Sequence, residues 1–203
     1  FHNCTSLQSL DLNNWDVGNA TELYGTFSGC TSLQSLDLSN WNVSRVTKMN
    51  SLFSDCNSLQ SLNLSSWNVS NVTDMSFMFY NCTSLQSLDL SSWDVSKVYY
   101  VTGMFQDCTN LSNLNVKGLN FARLDVSYIT PSEKLFRGCA SLTTNPYADF
   151  ANLDRFYTID LNGCDKLTLI DFKNIPLRET KNITIPDTVR EITGLNLCKP
   201  TGM

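Results

Sequence analysis

The chain repeats one pattern of apolar and polar positions every 26 residues. Five cysteines and four tryptophans mark this step: Cys4, Cys30, Cys56, Cys82, Cys108, Trp15, Trp41, Trp67 and Trp93. Four full units therefore occupy 4–29, 30–55, 56–81 and 82–107, and we number them 1 to 4. A repeat of this length predicts an array of stacked units, because no single unit of this size can bury its apolar face alone.

Unit 2 illustrates the elements that each repeat predicts. Leu36 and Leu38 alternate with polar residues, which is the period of a strand with one buried side, so a short strand is expected near 34–38. Further apolar residues follow at steps of three and four, the spacing of one helix face, and predict a short helix or tight helical turn. These residues are Val46, Met49, Phe53 and Cys56.

The Leu-x-x-Leu-x-Leu segment after each Cys resembles the leucine-rich-repeat signature. The expected fold is an α/β repeat, a right-handed solenoid with a parallel β-sheet on one face and short helices or helical turns on the other. Residues 1–108 are the regular part and start mid-repeat, because Phe1 and Cys4 match the end of a preceding unit. Residues 109–203, lengthened by five residues around 128–131, are expected to form irregular repeats and a C-terminal cap.

Composition argues against several classes of function. Charged residues make up 16% of the chain and its net charge is -5, which disfavours a nucleic-acid surface. With a single His and no Gly-rich phosphate loop, neither an enzyme active site nor a cofactor site is predicted. The abundant Asp residues leave one catalytic alternative open, a hydrolase with an Asp pair in the C-terminal part.

The cysteines allow two interpretations. Equivalent positions in stacked units lie about 4.8 Å apart, within disulfide range, but their Cβ atoms point side by side instead of converging. We therefore expect a ladder of small, buried, unpaired thiols. No Cys-x-x-Cys pair occurs, so no metal site is predicted. The four Trp residues are expected in the core or at unit corners, with sugar-stacking platforms as the alternative.

Two sets of residues are candidates for binding a partner. Stacked strands align polar side chains in rows on the sheet face, which is either a hydrated surface or a binding groove for a protein or glycan. Three tyrosines outside the repeat consensus lie on the helical side, where they either anchor a partner or pack at the edge of a unit. The candidates are Asp11, Ser35, Asp37, Asn63, Asp89, Asn115, Tyr80, Tyr99 and Tyr100.

Units such as 56–81, CNSLQSLNLSSWNVSNVTDMSFMFYN, resemble the BspA-like leucine-rich repeats of bacterial surface proteins and lipoproteins. The segment 183–192, ITIPDTVREI, is similar to the Ile-Pro-x-x-Val-x-x-Ile motif of the related repeat type in such proteins. The resemblance implies an extracellular, cell-surface protein without enzyme activity, which adheres to protein or glycan of host or neighbouring cells. A structural spacer that displays another domain is the alternative. An uncapped first unit also suggests end-to-end self-association.

Overall fold

A computed structural model of the chain describes residues 1–120, 134–149, 158–172, 180 and 182–194. Within these residues, equivalent positions of successive units lie side by side. A column of phenylalanine rings shows the stacking, because neighbouring rings are nearly parallel, with centroids 5.4 to 5.7 Å apart. The column consists of Phe1, Phe27, Phe53, Phe79, Phe105 and Phe136. The predicted stacking of the units is thus confirmed.

The strands of the described residues are three residues long and pair in parallel. They are β1 (Ser87–Asp89), β2 (Asn113–Asn115), β3 (Thr158–Asp160), β4 (Leu169–Asp171), β5 (Asn182–Thr184) and β6 (Glu191–Thr193). β1 pairs with β2, β3 with β5, and β4 with β6. A 3₁₀ helix spans Pro146–Asp149.

Residues 34–38, where a strand was predicted, do not form a regular β-strand. On this side of the stack, the described backbone links units 1, 2 and 3 through single hydrogen bonds, from Gln34 N–H to the Gln8 carbonyl (3.2 Å) and from Gln60 N–H to the Gln34 carbonyl (3.4 Å). An isolated bridge joins Ser61 to Ser87 before full pairing begins at β1. Most backbone bonds between these units lie on the opposite side instead.

That opposite side contains consecutive β-turns where short helices or tight helical turns were predicted. In unit 2, the N–H groups of alternate residues 52, 54 and 56 donate to carbonyls three residues earlier. The N–H groups between them, those of 49, 51, 53 and 55, donate to carbonyls of unit 3 at 2.8 to 2.9 Å. We call residues 49–56 and their equivalents the turn ribbon, and the side of the stack that it forms the turn face.

Backbone geometry explains why the ribbon is not a helix. Each ribbon holds two residues in the left-handed region, as at Ser51 (φ 56°) and Asp55 (φ 60°), and a right-handed helix cannot contain them. The equivalents are Gly25, Gly29, Phe77, Asn81, Gly103 and Asp107. The helix prediction is therefore corrected to turns, and no α-helix occurs among the described residues.

The apolar residues predicted from unit 2 form the core. Val46, Met49, Phe53 and Cys56 are all completely buried, as are their equivalents in units 3 and 4 to within 1%. The turns therefore direct inward the same residues that a helix would. The spacing predicted the burial correctly and the backbone conformation incorrectly.

The cysteines form the predicted ladder. Each of the six buried, described thiols donates a hydrogen bond of 2.9 to 3.1 Å to the carbonyl of a ring-column Phe that lies 28 to 34 positions earlier in the chain. All seven described cysteines are unpaired. Burial raises the pKa of the Cys56, Cys108 and Cys164 thiols to about 12. The described thiols are therefore structural and, apart from Cys4, shielded from solvent.

Three of the four tryptophans lie in the core, as predicted. Trp41, Trp67 and Trp93 are at most 5% exposed. The indole N–H of Trp67 donates to the Leu38 carbonyl of the preceding unit at 3.2 Å. Trp15 belongs to the first unit and is half exposed.

The C-terminal part continues the stack as far as it is described. Phe136 stacks on Phe105 although 31 positions separate them, so the unit that begins at Cys108 holds five additional residues. Cys139 and Cys164 extend the thiol ladder. The extension predicted around 128–131 lies outside the described residues. The division into a regular part and a cap stays a prediction.

Candidate functional site

An open groove of about 400 Å³ lies on the sheet face, across units 3 and 4 and the unit that begins at Cys108. It collects three of the predicted residues, Asn63, Asp89 and Asn115, because β1 and β2 pair Asp89 with Asn115 in register. Leu62, Leu64 and Leu88 form its apolar lining. The predicted candidates Asp11, Ser35 and Asp37 are exposed but lie outside this groove.

The Asp and Asn residues of this row have a local structural task. Each accepts a hydrogen bond from the backbone N–H two residues later, which is an Asx turn that ends the strand segment. At Asp89 the bonds come from the N–H (2.9 Å) and hydroxyl (2.7 Å) of Ser91. The other members are Asp11, Asp37, Asn63 and Asn115.

The same hydrogen bonds influence the acidity of the row. The Ser39 hydroxyl and N–H lower the pKa of Asp37, and the Ser91 N–H and hydroxyl lower that of Asp89. Both carboxylates are therefore ionised at neutral pH, with one oxygen engaged in a turn. A second Asx row, not predicted, holds Asp16, Asn42, Asn68 and Asp94. Its signal was an Asp or Asn directly after each Trp, two residues before Ser or Gly.

A second groove, of about 520 Å³, lies on the turn face. Units 2, 3 and 4 and Lys134 of the unit that begins at Cys108 contribute to its lining, which mixes aromatic, hydroxyl, amide and ammonium groups. The lining residues are Ser51, Ser54, Phe77, Tyr80, Thr102, Gln106 and Lys134. Of the three predicted tyrosines only Tyr80 lines it. Tyr99 packs on Tyr100 with ring centroids 6.4 Å apart. The backbone of Tyr100 forms an isolated parallel β-bridge with that of Asp74.

Phe77 is the unexpected residue of this turn-face groove. Its φ is 57°, in the left-handed region, where a bulky side chain costs about 1–2 kcal/mol. The equivalent residues in the neighbouring units are small, namely Gly25, Ser51 and Gly103. Phe77 is nevertheless 37% exposed and meets Tyr80 edge to face, with centroids 5.9 Å apart.

Gly103 makes room for the Phe77 ring. A Cβ atom at Gly103 would lie 2.7 Å from Cε1 of Phe77, so a side chain there would collide with the ring. The five additional residues before Phe136 place Lys134 in the same column, one unit beyond Gly103. The Phe77 ring therefore occupies the space over Gly103, and Lys134 is the next residue of the column.

The polar groups around the rings are only partly engaged. The Ser54 hydroxyl donates a hydrogen bond to Asp55 at 2.9 Å. The Gln106 amide N–H donates one to Asp107 at 3.0 Å, so the amide oxygen of Gln106 can accept from another partner. The described side chains contain no ion-pair partner for Lys134. The groove thus offers hydrogen-bonding groups and one positive charge beside two rings.

The carboxylates, metal-ligating side chains and helices of the described residues bear on catalysis and membrane insertion. No group of three or more His, Cys, Asp or Glu side chains there is placed to hold a metal ion. Asp89 is the one carboxylate among the residues that line the two grooves. The described part contains no helix with the length and apolar character of a membrane span.

Comparison with known proteins assigns the family. Residues 1–118 match the model of the family described as "Mycoplasma protein of unknown function, DUF285". The chain belongs to this family. A search of curated proteins found no match.

The chain is also similar to solved structures of leucine-rich-repeat proteins. A leucine-rich repeat protein of Bacteroides ovatus is 17% identical, with a TM-score of 0.31 over 98% of this chain and 73% of that one. A leucine rich cell surface protein of Faecalibacterium prausnitzii is 16% identical, with a TM-score of 0.33 over 95% and 74%. The functional domain of InlJ from Listeria monocytogenes, which includes a cysteine ladder, is 20% identical, with a TM-score of 0.21 over 89% and 46%.

Proposed function

We propose that this chain is a non-enzymatic recognition module of a bacterial cell-surface protein, and that it binds a macromolecule of a host or neighbouring cell. One observation carries the proposal: the aromatic pair Phe77 and Tyr80 in the turn-face groove. Exposed aromatic side chains are frequent anchors of binding sites, because they bury much area at little entropic cost.

The strain at Phe77 supports a role in binding. Gly or Asn would occupy this left-handed position more readily, and Gly does so at the equivalents Gly25 and Gly103. Residues that a fold holds in costly conformations without a packing need concentrate at functional sites. Phe77 is 37% exposed, so burial of its ring offsets only part of the cost.

The extracellular setting of the proposal rests on the resemblance to BspA-like repeats. A right-handed solenoid of such units would present long side surfaces to large ligands, which is how repeat proteins commonly bind. Adhesion to a protein or glycan of another cell is the corresponding activity.

A structural spacer is the second candidate. The Asx turns favour it, because the Asp and Asn oxygens of the sheet face hold unit corners. A chain built only to hold its own shape would need no ligand. In that case both grooves would be incidental to the stacking.

The test is a cell-binding assay with the purified, fluorescently labelled chain. The test variant is the double substitution Phe77→Asn/Tyr80→Ser. Asn tolerates the left-handed backbone at position 77. Ser is the residue found at the positions equivalent to Tyr80 in units 1 and 2, Ser28 and Ser54. We expect this variant to lose binding at least tenfold. Tyr24→Ser is the matched control, since Tyr24 is 60% exposed in unit 1 and lies outside both grooves.

A sheet-face variant completes the design. Asp37→Asn/Asp89→Asn removes two charges and keeps the Asx oxygens, as the native Asn63 demonstrates. We expect it to bind as the unmodified chain does. If this variant alone lost binding, the binding site would be assigned to the sheet face. If the unmodified chain bound neither host nor bacterial cells, the result would favour the spacer.

A further inference from the structure

We infer that the turn-face groove binds a carbohydrate that carries a carboxylate group, a uronic or sialic type of sugar. The inference rests on the proposed function and names the ligand class of the same site. Three features of the groove support it: the aromatic pair, the polar groups around that pair, and the charge of Lys134.

The aromatic pair suits a sugar ring. One side of a pyranose presents C–H groups, which pack on the face of an aromatic ring, while its hydroxyl groups point outward. Phe77 extends along the stack over Gly103, and Tyr80 meets it at 88°. The two rings thus form an apolar corner with a phenol at its edge, and the pocket volume of about 520 Å³ falls within the roughly 300–1,000 Å³ of small-ligand sites.

The surrounding groups suit hydroxyls better than they suit a protein side chain. Ser51 and Ser54 lie on one side of the rings, and Thr102 and Gln106 on the other. Protein hot spots are surrounded by contacts that exclude water, and the described lining offers no aliphatic side chain for that purpose. Hydroxyl and amide groups instead match the repeated donors and acceptors of a sugar.

The charge of the groove selects an anionic sugar. Lys134 is exposed and is the one charged residue of the lining, on a chain whose net charge is -5. The basic residues of units 1 to 4 are engaged elsewhere: Lys48 with Glu22, Lys97 with Asn71, and Arg45 with Asn19. Asp55 and Asp107 are not among the lining residues and accept hydrogen bonds from Ser54 and Gln106.

The spacing of the column completes the site. Phe77 and Lys134 are two units apart, which is about 10 Å at the spacing of parallel backbones. Gly103 between them has no side chain, so the Phe77 ring extends over it toward the unit that holds Lys134. A sugar packed on the exposed side of this ring would therefore have Lys134 within the same groove to pair with its carboxylate.

Binding of defined saccharides to the full chain tests the ligand class. The probes are trigalacturonate with its methyl ester and sialyllactose with lactose, measured by calorimetry. We expect at least one acid to bind at least tenfold more tightly than its neutral form. Lys134→Gln should remove that difference, and Phe77→Asn/Tyr80→Ser should abolish binding of both forms. Lys97→Gln and Tyr24→Ser are the matched controls and should change nothing.

The cell-binding assay described above also distinguishes a failure of this inference from a failure of the proposed function. Periodate oxidation of cell glycans, or their enzymatic desialylation together with uronidase treatment, should reduce cell binding at least tenfold. Cell binding that depends on Phe77 and Tyr80 but survives both treatments would overturn the carbohydrate and leave the recognition function standing. Displacement by a tetraglutamate peptide as effectively as by the acidic sugars would assign the groove to acidic peptides and would equally overturn it.

Discussion

The thiol of Cys82 donates a hydrogen bond to the carbonyl oxygen of Phe53, which is 3.1 Å away and 29 positions earlier in the chain. Both residues are completely buried. The thiol ladder and the phenylalanine column are therefore one structure, because each Cys satisfies the backbone of the residue whose ring stacks beneath the next Phe. This link accounts for a Cys at a position where any small apolar side chain would fit by volume alone.

Cys82→Ala should destabilise the chain by about 1–3 kcal/mol, because it leaves a small cavity and removes one of the two hydrogen bonds that the Phe53 carbonyl accepts, the other coming from the Cys56 N–H. Urea unfolding followed by circular dichroism would measure the change. Cys4→Ala is the control, since Cys4 is exposed, and should shift the stability by less than about 0.5 kcal/mol. Equal effects of the two substitutions would show that the ladder bond contributes nothing.

The buried thiols should make the chain sensitive to alkali. Burial raises the pKa of Cys56 and Cys108 from 9.0 to about 12, so the native state keeps protons that the unfolded state releases. Their contribution to stability is complete below pH 9 and is lost as the pH rises toward 12. The unfolding temperature should fall across this range, and less steeply in Cys56→Ala.

Reactivity toward iodoacetamide offers an independent check on the thiols. At pH 8 in the native state, peptide mapping should find Cys4 alkylated and the six buried, described cysteines unmodified, because their thiolate forms are suppressed. All of them should react in denaturant without reductant. Paired sulfurs under those conditions would contradict the ladder.

Trp67 and Trp41 provide a matched comparison of one hydrogen bond. The Trp67 indole N–H donates to the Leu38 carbonyl at 3.2 Å, whereas the buried Trp41 indole N–H has no partner among the described residues. Trp67→Phe should therefore cost about 0.5–1.5 kcal/mol more than Trp41→Phe. Both remove the same ring, so urea unfolding of the two variants isolates the bond. A larger loss in Trp41→Phe would refute the assignment.

Gly163 and Gly118 test the close approach of neighbouring units. Both have a positive φ, 78° and 82°, so replacement by Ala should strain either one by about 1–2 kcal/mol. A Cβ at Gly163 would also lie 3.1 Å from the Gly138 Cα, whereas the space at Gly118 is open. Gly163→Ala should lower the unfolding free energy by about 1 kcal/mol or more beyond Gly118→Ala. Similar values would show that the units can move apart freely.

Part of the candidate site could be predicted and part could not. Tyr80 was identified because it departs from the repeat consensus. Phe77 also departs from the consensus, because its equivalents are Gly25, Ser51 and Gly103. An apolar residue next to Met78 and Phe79 is, however, compatible with the apolar face of a helix, so the pattern does not indicate that Phe77 is exposed. Its exposure follows from the left-handed turn, which the pattern of apolar residues does not encode.

The 26-residue period is enough to assign residues to columns, because every unit follows the same path. It predicted the thiol ladder and the polar rows of the sheet face without knowledge of the backbone. The conformation of the ribbon depends instead on contacts between units. Steps of three and four suit both a helix and consecutive turns, and the turns form here because the N–H groups of Met49, Ser51 and Phe53 donate to unit 3. A hydrogen bond between units has no counterpart in the sequence of one unit, so only the assembled stack distinguishes the two.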